Sequence, residues 1–322
     1  MNTARVVARA VFRAKPAPRC DDLGPFGYHV AMIRLLGLVL SGWLIASAQA
    51  PAWHQVHLTA RKLFMKAEAS ITLERCSVSS VAHDLLTPPL GLAVIPTTGM
   101  VDVIRIEADL PFGRSESIVV WVDAATGAVL QNEKRRFGHG DYWKVRRYTG
   151  DGYYEWRTEP DLAEDAQRAP PRWSDRWEHQ LVLTPPPPPG AVVIDPYSIL
   201  AILPVVEKSA ADLYVISRST AVQVRLKRLS SRDAHGDGLI VWPGGSRDSS
   251  FGRATAFRLE VVPKEGVDAD DVETGLFGLR GSCEILVDPG TAVPFEIMGK
   301  AKSIGRVRIR LDRATLAAPP GR

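Results

Sequence analysis

The chain has 322 residues, of which 45% are hydrophobic and 24% charged, with 26 Gly, 24 Pro and 3 Cys. That balance describes a globular chain long enough to bury a large core, and it excludes collagen, coiled coil and wholesale disorder. Forty Lys and Arg against 36 Asp and Glu leave a formal charge of +4, and whether this excess points to nucleic acid depends on where along the chain it lies.

The first organised feature is an apolar run over 33–45 that carries one cation, Arg34. It has the length of a signal-peptide h-region and falls short of the roughly 20 residues that span a bilayer core. Ala46-Ser47-Ala48 follows, a small-x-small pattern that places signal cleavage at Ala46 and Ala48, before Gln49. An uncleaved anchor or a buried core helix is the alternative. Residues 1–31 are rich in Arg and precede a segment with its own Met32, so they read as sequence upstream of a misplaced start codon, or as an organelle presequence. No Cys stands just after the apolar run, so a lipid anchor is not supported. Residues 1–48 hold six of the 40 basic and two of the 36 acidic residues, which leaves 34 of each in the mature chain. The basic excess therefore belongs to the export signal, and no nucleic-acid partner is expected. The expected address is periplasmic or secreted, with no transmembrane segment in the mature chain. Cys20 falls in the removed segment, and Cys76 and Cys283 remain as a candidate disulfide for an oxidising compartment. Two separate buried thiols are the alternative.

From 66 onward, period-two alternation dominates. Ala67, Ala69, Ile71 and Leu73 alternate with Lys66, Glu68, Ser70, Thr72 and Glu74, the pattern of a strand with one face on a core and one in water. Further strands are predicted over 101–108, 117–122, 128–134, 142–148, 153–157, 181–184, 213–217, 221–229, 254–262, 279–287, 294–298 and 305–312. A short helix is expected to begin near Ser79 or Ser80 and run to Leu86. Thr149-Gly150-Asp151-Gly152 supplies residues tolerant of positive φ, so 142–157 reads as a hairpin. Two other turns resemble each other. Asp123-Ala124-Ala125-Thr126-Gly127 and Asp288-Pro289-Gly290-Thr291-Ala292 each follow a strand and precede another, which hints at two related halves or at convergent turn chemistry. Between the halves, five prolines at 185–189 end in Gly190 and form a semi-rigid connection. Asp195 is placed to cap a short buried helix that has Pro196 at its first position and stops by Pro204. Residues 230–250, rich in Gly, Asp, Ser and Arg, read as a long surface loop. The organisation is thus an extension and signal peptide (1–48), a first β half (49–184), a connection (185–190) and a second β half packed with the first (191–322). The expected fold class is all-β: an antiparallel, strongly curved sheet or open barrel with one or two short helices.

No nucleophile elbow, phosphate-cradling Gly-rich loop or Cys-x-x-Cys is present in the sequence. His54 and His57 lack an obvious third ligand. His139 beside Asp141 and His235 beside Asp237 read as solvated loop pairs. Asp268, Asp270 and Asp271 lack the closing Glu of a calcium loop. No catalytic residue, metal or cofactor is assigned. Aromatic rings concentrate over 143–177, and Trp143, Tyr148, Tyr154, Trp156, Trp173 and Trp177 are the candidate ligand-binding residues, because flat amphipathic rings stack on sugars or line a pocket for an acyl chain. Ordinary cross-strand packing is the competing account.

The strand over 66–74, the helix start Asp195-Pro196-Tyr197-Ser198-Ile199-Leu200, and the block over 281–311 with Val287-Asp288, Val293-Pro294 and Gly305 resemble a group of uncharacterised exported β-rich proteins of proteobacteria, a domain of unknown function. The resemblance covers most of 54–312. It implies a periplasmic antiparallel β fold similar to the half-barrels of lipoprotein carriers, and it implies no catalytic residues. The expectation is a non-enzymatic exported protein that binds an apolar or envelope-derived ligand such as a lipid. An envelope assembly or scaffold protein is the alternative, and a glycan hydrolase the weaker one.

Overall fold

The computed structural model describes residues 52–318 except 63, 139, 204–210, 218, 235–237, 249–251, 275–277 and 303, and not the side chain of 166. The segment expected to be a signal peptide, with Ala46 and Ala48, and the histidines His139 and His235 lie outside the described residues. Alternation becomes strand wherever it was read. In β2 (Met65–Ser77), Ala69, Ile71 and Leu73 are buried while Lys66, Glu68 and Glu74 are exposed. It pairs with β1 (Trp53–Lys62) and with β3 (Met100–Leu110). The meander continues through β4 (Arg114–Asp123), β5 (Val129–Phe137), β6 (Tyr142–Thr149), β7 (Gly152–Glu159) and β8 (Asp175–Val182), each antiparallel to the last. The strand expected at 181–184 is the end of β8, which starts six residues earlier, on charged positions that expose both faces.

The second meander contains β9 (Ala211–Ser217), β10 (Thr220–Arg228), β14 (Gly252–Val261), β15 (Leu279–Val287), β16 (Pro294–Ala301) and β17 (Gly305–Leu316). It joins the first through β1, which pairs with β2 on one edge and with β17 on the other. Across the sheet the order is β9, β10, β14, β15, β16, β17, β1, then β2 through β8. The expected long loop at 230–250 is corrected by three short strands: β11 (Arg232–Ala234), β12 (Leu239–Trp242) and β13 (Gly245–Asp248). β11 extends the line of β10 along β14, and β12 runs parallel to β17 with Ile240 fully buried.

One face of this sheet carries one core. Ile71, Ile106 and Val120 from the first meander cluster with Val224, Leu259 and Ile297 from the second, so the sheet must curl until that face is an inside. The curl does not close into a barrel by strand pairing. Instead, residues 192–194 bridge it: Tyr214 of β9 donates its amide to the Val192 carbonyl at 2.9 Å, and Val129 of β5 donates to Val193 at 2.9 Å. The bridge leads into the expected helix. Asp195 accepts from the Tyr197 amide at 2.9 Å, Pro196–Ser198 forms a 3-10 turn, and Ile199–Ile202 (α2) follows, buried on all sides within the curl. The other expected helix starts at Val78 and stops at Val81, well short of Leu86. Val78–Val81 (α1) is a single turn capped by Ser77, whose hydroxyl accepts from the Ser80 amide.

The expected Cys76–Cys283 disulfide is not formed, and both thiols are free. Cys76 pairs across from Val101 and packs with Val101, Val103 and Trp121 on the outer face. Cys283 belongs to the inner core, so the sheet itself stands between them. Burial pushes the Cys283 thiol up to about 12.

Candidate functional site

The register of β6 and β7 decides where the candidate aromatics point, because residues directly opposite in a pair share a face. Val145 opposes Trp156 and Trp143 opposes Thr158, which puts both tryptophans on the outer face. Their rings meet edge to face at 4.6 Å, and Trp173 completes a satellite cluster with Trp143 and Val145. The Trp143 indole donates to Glu133 at 2.8 Å and the Trp173 indole to the Asp165 carbonyl at 3.1 Å. Tyr154 lies on the same outer face, where burial and the Glu178 carboxylate 2.7 Å from its hydroxyl push the phenol up to about 12. Tyr148 and Trp177 lie on the inner face. Tyr148 is in the core against Tyr153, with its hydroxyl 3.4 Å from Asp195, and Trp177 is half-exposed beneath Arg157. The structure therefore brings Trp143, Trp156 and Trp173 together outside, and separates Tyr148 and Trp177 from them by the thickness of the sheet.

The outer face also carries a clamp. Arg147 is buried and donates to the carbonyls of Leu86, Leu130 and Val94 at 3.1, 2.5 and 2.9 Å, which pins the 86–94 segment to the sheet. With no carboxylate beside it, burial lowers its pKa to about 10.

Two features of the inner face are chemically distinctive. The first is an apolar opening of about 130 Å³ at the seam between the meanders, lined by Leu58, Ala60, Ala67, Leu279, Ala301 and Ile309. The room exists because small alanines stand where β1, β2 and β16 approach. Ala60 opposes Ala67 on one edge of β1 and Ile309 on the other. Lys62 folds over the rim, its ammonium bonded to the Ile304 and Arg306 carbonyls. Larger hollows of about 530 and 580 Å³ occur on the outer surface, lined by mixed charges such as Arg258, Glu260, Glu284 and Arg308.

The second feature was not anticipated. Lys134, Lys144 and Arg157 stand directly opposite one another across β5, β6 and β7. Their row continues Ile71, Ile106 and Ile118 of β2 to β4, so it faces inward. Lys144, Arg136 and Arg157 converge on one ring, at 5.6, 5.0 and 4.6 Å from the centroid of Tyr142. Glu116 accepts from Lys134 and Arg136, both at 2.8 Å. Burial works against its charge, but the two cations outweigh that and hold the carboxyl below the usual range. Glu155 takes Arg146. Lys144 has no hydrogen-bond or ion-pair partner among the described residues. Burial, reinforced by Arg146, Lys134 and Arg157 and opposed by Glu155, lowers its pKa to about 8. Sequence reasoning missed this row because Tyr142, Lys144, Arg146 and Tyr148 alternate with Trp143 and Val145, and alternation alone assigns the charged positions to water.

Other candidates resolve into local structure. His54 is exposed on β1. Asp268 caps the 3-10 turn Ala269–Asp271, while Asp270 and Asp271 pair with Lys300 and Arg280. No cluster of three His, Cys, Asp or Glu side chains positioned to hold a metal occurs among the described residues. No helix among them is long and apolar enough to cross a membrane.

No family model matches the chain, and no curated protein matches it. A solved structure from Brucella abortus, a β-barrel-like protein of domain of unknown function DUF1849, is similar over 84% of this chain and 99% of that chain, at 7% identity and a TM-score of 0.41.

Proposed function

We propose that this β protein is exported and, without catalysing a reaction, binds an apolar or envelope-derived ligand on the inner face of its curled sheet. The observation that carries the reading is the apolar opening at the β1–β17 seam. Four alanines, Ala60, Ala67, Ala69 and Ala301, leave space there that larger aliphatics would fill. About 130 Å³ is close to the size of cavity that stays dry and takes up a benzene-sized apolar group, so the opening suits the end of an acyl chain. Export rests on the apolar run over 33–45 and the small residues after it.

Native mass spectrometry of the protein purified from a periplasm under mild conditions tests this. The expected result is an apolar adduct on the wild type that is lost in an Ala60→Leu, Ala67→Leu variant. An unliganded wild type, or an adduct that survives filling of the opening, overturns the reading. One observation favours a scaffold role as a second reading: among the described residues β8 pairs with β7 on one edge only, and it exposes most of its side chains, a ready template for a partner's strand.

A further inference from the structure

We propose that the inner face holds an oxyanion site centred on the Lys144 ammonium, flanked by Lys134 and Arg157, with the Tyr197 hydroxyl as a neutral donor. Its ligand is the carboxylate or phosphate of an anionic amphiphile. This rests on the apolar-ligand reading above and names the polar end of that ligand.

The geometry supplies three arguments. The first is the row itself. Three cations directly opposite one another on adjacent strands repel, and directly opposed like charges destabilise a sheet. Glu116 answers Lys134, and Glu159 answers one end of Arg157. Glu155 acts on Lys144 through space but bonds Arg146, which leaves the central ammonium without a bonded carboxylate among the described residues. The second is a pair of donors left over at the two flanks of the row, one on Arg157 and one on Tyr197 beside Lys134. The Arg157 Nε and the Tyr197 hydroxyl are both buried without a hydrogen-bond partner among the described residues. Tyr197 is 4% exposed, and the Lys134 ammonium lies 5.8 Å from its ring centroid. Unmet buried donors are costly alone and become an asset when an anion accepts from them. The third is continuity with the opening. Leu58 and Ala69 of its wall lie on one register line with Ala108, Glu116, Arg136 and Tyr142. An apolar tail at the seam therefore shares the inner face with the cationic row, as an amphiphile requires.

Calorimetric titration of the purified protein at pH 7 with decanol, decyl phosphate and inorganic phosphate tests the site. Decyl phosphate is expected to bind at least about 10-fold more tightly than decanol. Lys144→Met is expected to remove that preference while leaving decanol affinity unchanged. Tyr197→Phe, which deletes only a hydroxyl that has no hydrogen-bond partner among the described residues, is expected to weaken decyl phosphate about threefold or more and decanol not at all. Equal affinity for decyl phosphate and decanol, or a preference that survives both variants, overturns the oxyanion site and leaves the apolar opening standing. Binding of inorganic phosphate as tight as that of decyl phosphate, with no decanol binding, overturns the apolar reading and reassigns the site to free phosphate. No binding of any of the three overturns both.

Discussion

Lys144 is the residue on which the chemistry of the inner face turns, and its cost in the free protein is measurable. An ammonium on β6 sits opposite Lys134 of β5 and Arg157 of β7, beside Arg146 and the Tyr142 ring, with Glu155 acting on it as an opposing charge. Its pKa is lowered from 10.5 to about 8. A lysine whose folded pKa lies below its unfolded value releases its proton first in the folded state. Between those two values the unfolded state therefore binds more protons, and stability rises with pH across that window. Below the folded pKa, the full cost of holding the charge is present. Lys144→Met should accordingly be more stable than the wild type at pH 7 by about 1–2 kcal/mol, a figure reduced for the partial exposure of the group. The gap should shrink towards zero as the pH approaches 10.5. Urea unfolding of both proteins at a series of pH values between 7 and 10.5 reads this directly, and a gap that does not change with pH would refute it.

The twin turns show how far local sequence carries an element and where it stops. Asp123 accepts from the Ala125 amide and the Thr126 hydroxyl, and Asp288 accepts from the Gly290 and Thr291 amides and the Thr291 hydroxyl. In both, the Asp carbonyl accepts from the fifth residue, Gly127 or Ala292, each at positive φ, 78° and 56° respectively. The Asp-led pattern in the sequence was enough to find these hairpins. What it does not reveal is that one of them abuts α2: a Cβ at Gly127 would collide with the Ile202 side chain. The same motif should thus respond oppositely to exchange. Ala292→Gly relieves a left-handed alanine and should stabilise by about 0.5–1 kcal/mol, whereas Gly127→Ala adds both the left-handed penalty and a core clash and should cost about 2–3 kcal/mol. Thermal or urea unfolding of the two variants gives the signs, and two variants that move the same way would refute the account. Elements without such local signatures were not legible. β11, β12 and β13 are three or four residues long, sit in a Gly- and Ser-rich stretch, and exist because β14 and β17 offer them edges. The inward face of Lys144 was hidden for a related reason, since only register with Ile118 and Ile106 says which side of an alternating strand is inside.

At the scale of the whole molecule, a chain that reads as two β halves is held by one core. Residues of β3 and β4 share that core with residues of β10, β14 and β16. β1 supplies the seam, pairing with its own hairpin partner and with the last strand of the chain. Neither half buries its inner face alone, because the second meander is the wall against which the first packs. The expected consequence is a single cooperative transition, since separate transitions require separate cores. The chain carries its own reporters. In a Trp242→Phe background, which removes the tryptophan of β12, the buried Trp53, Trp121 and Trp143 of β1–β6 report the first half by fluorescence. In a Cys20→Ser, Cys76→Ser variant, Cys283, buried at 1% exposure on β15, becomes the one thiol and reports the second. Tryptophan emission and thiol labelling by a colorimetric disulfide reagent, followed through one urea series, should give coincident midpoints. Cys283 labelling at clearly lower urea than the fluorescence change would mean that the β9–β17 meander opens on its own. In that case the β1–β17 seam, and with it the apolar opening between them, would be a docking surface between two separable units and not part of one continuous wall.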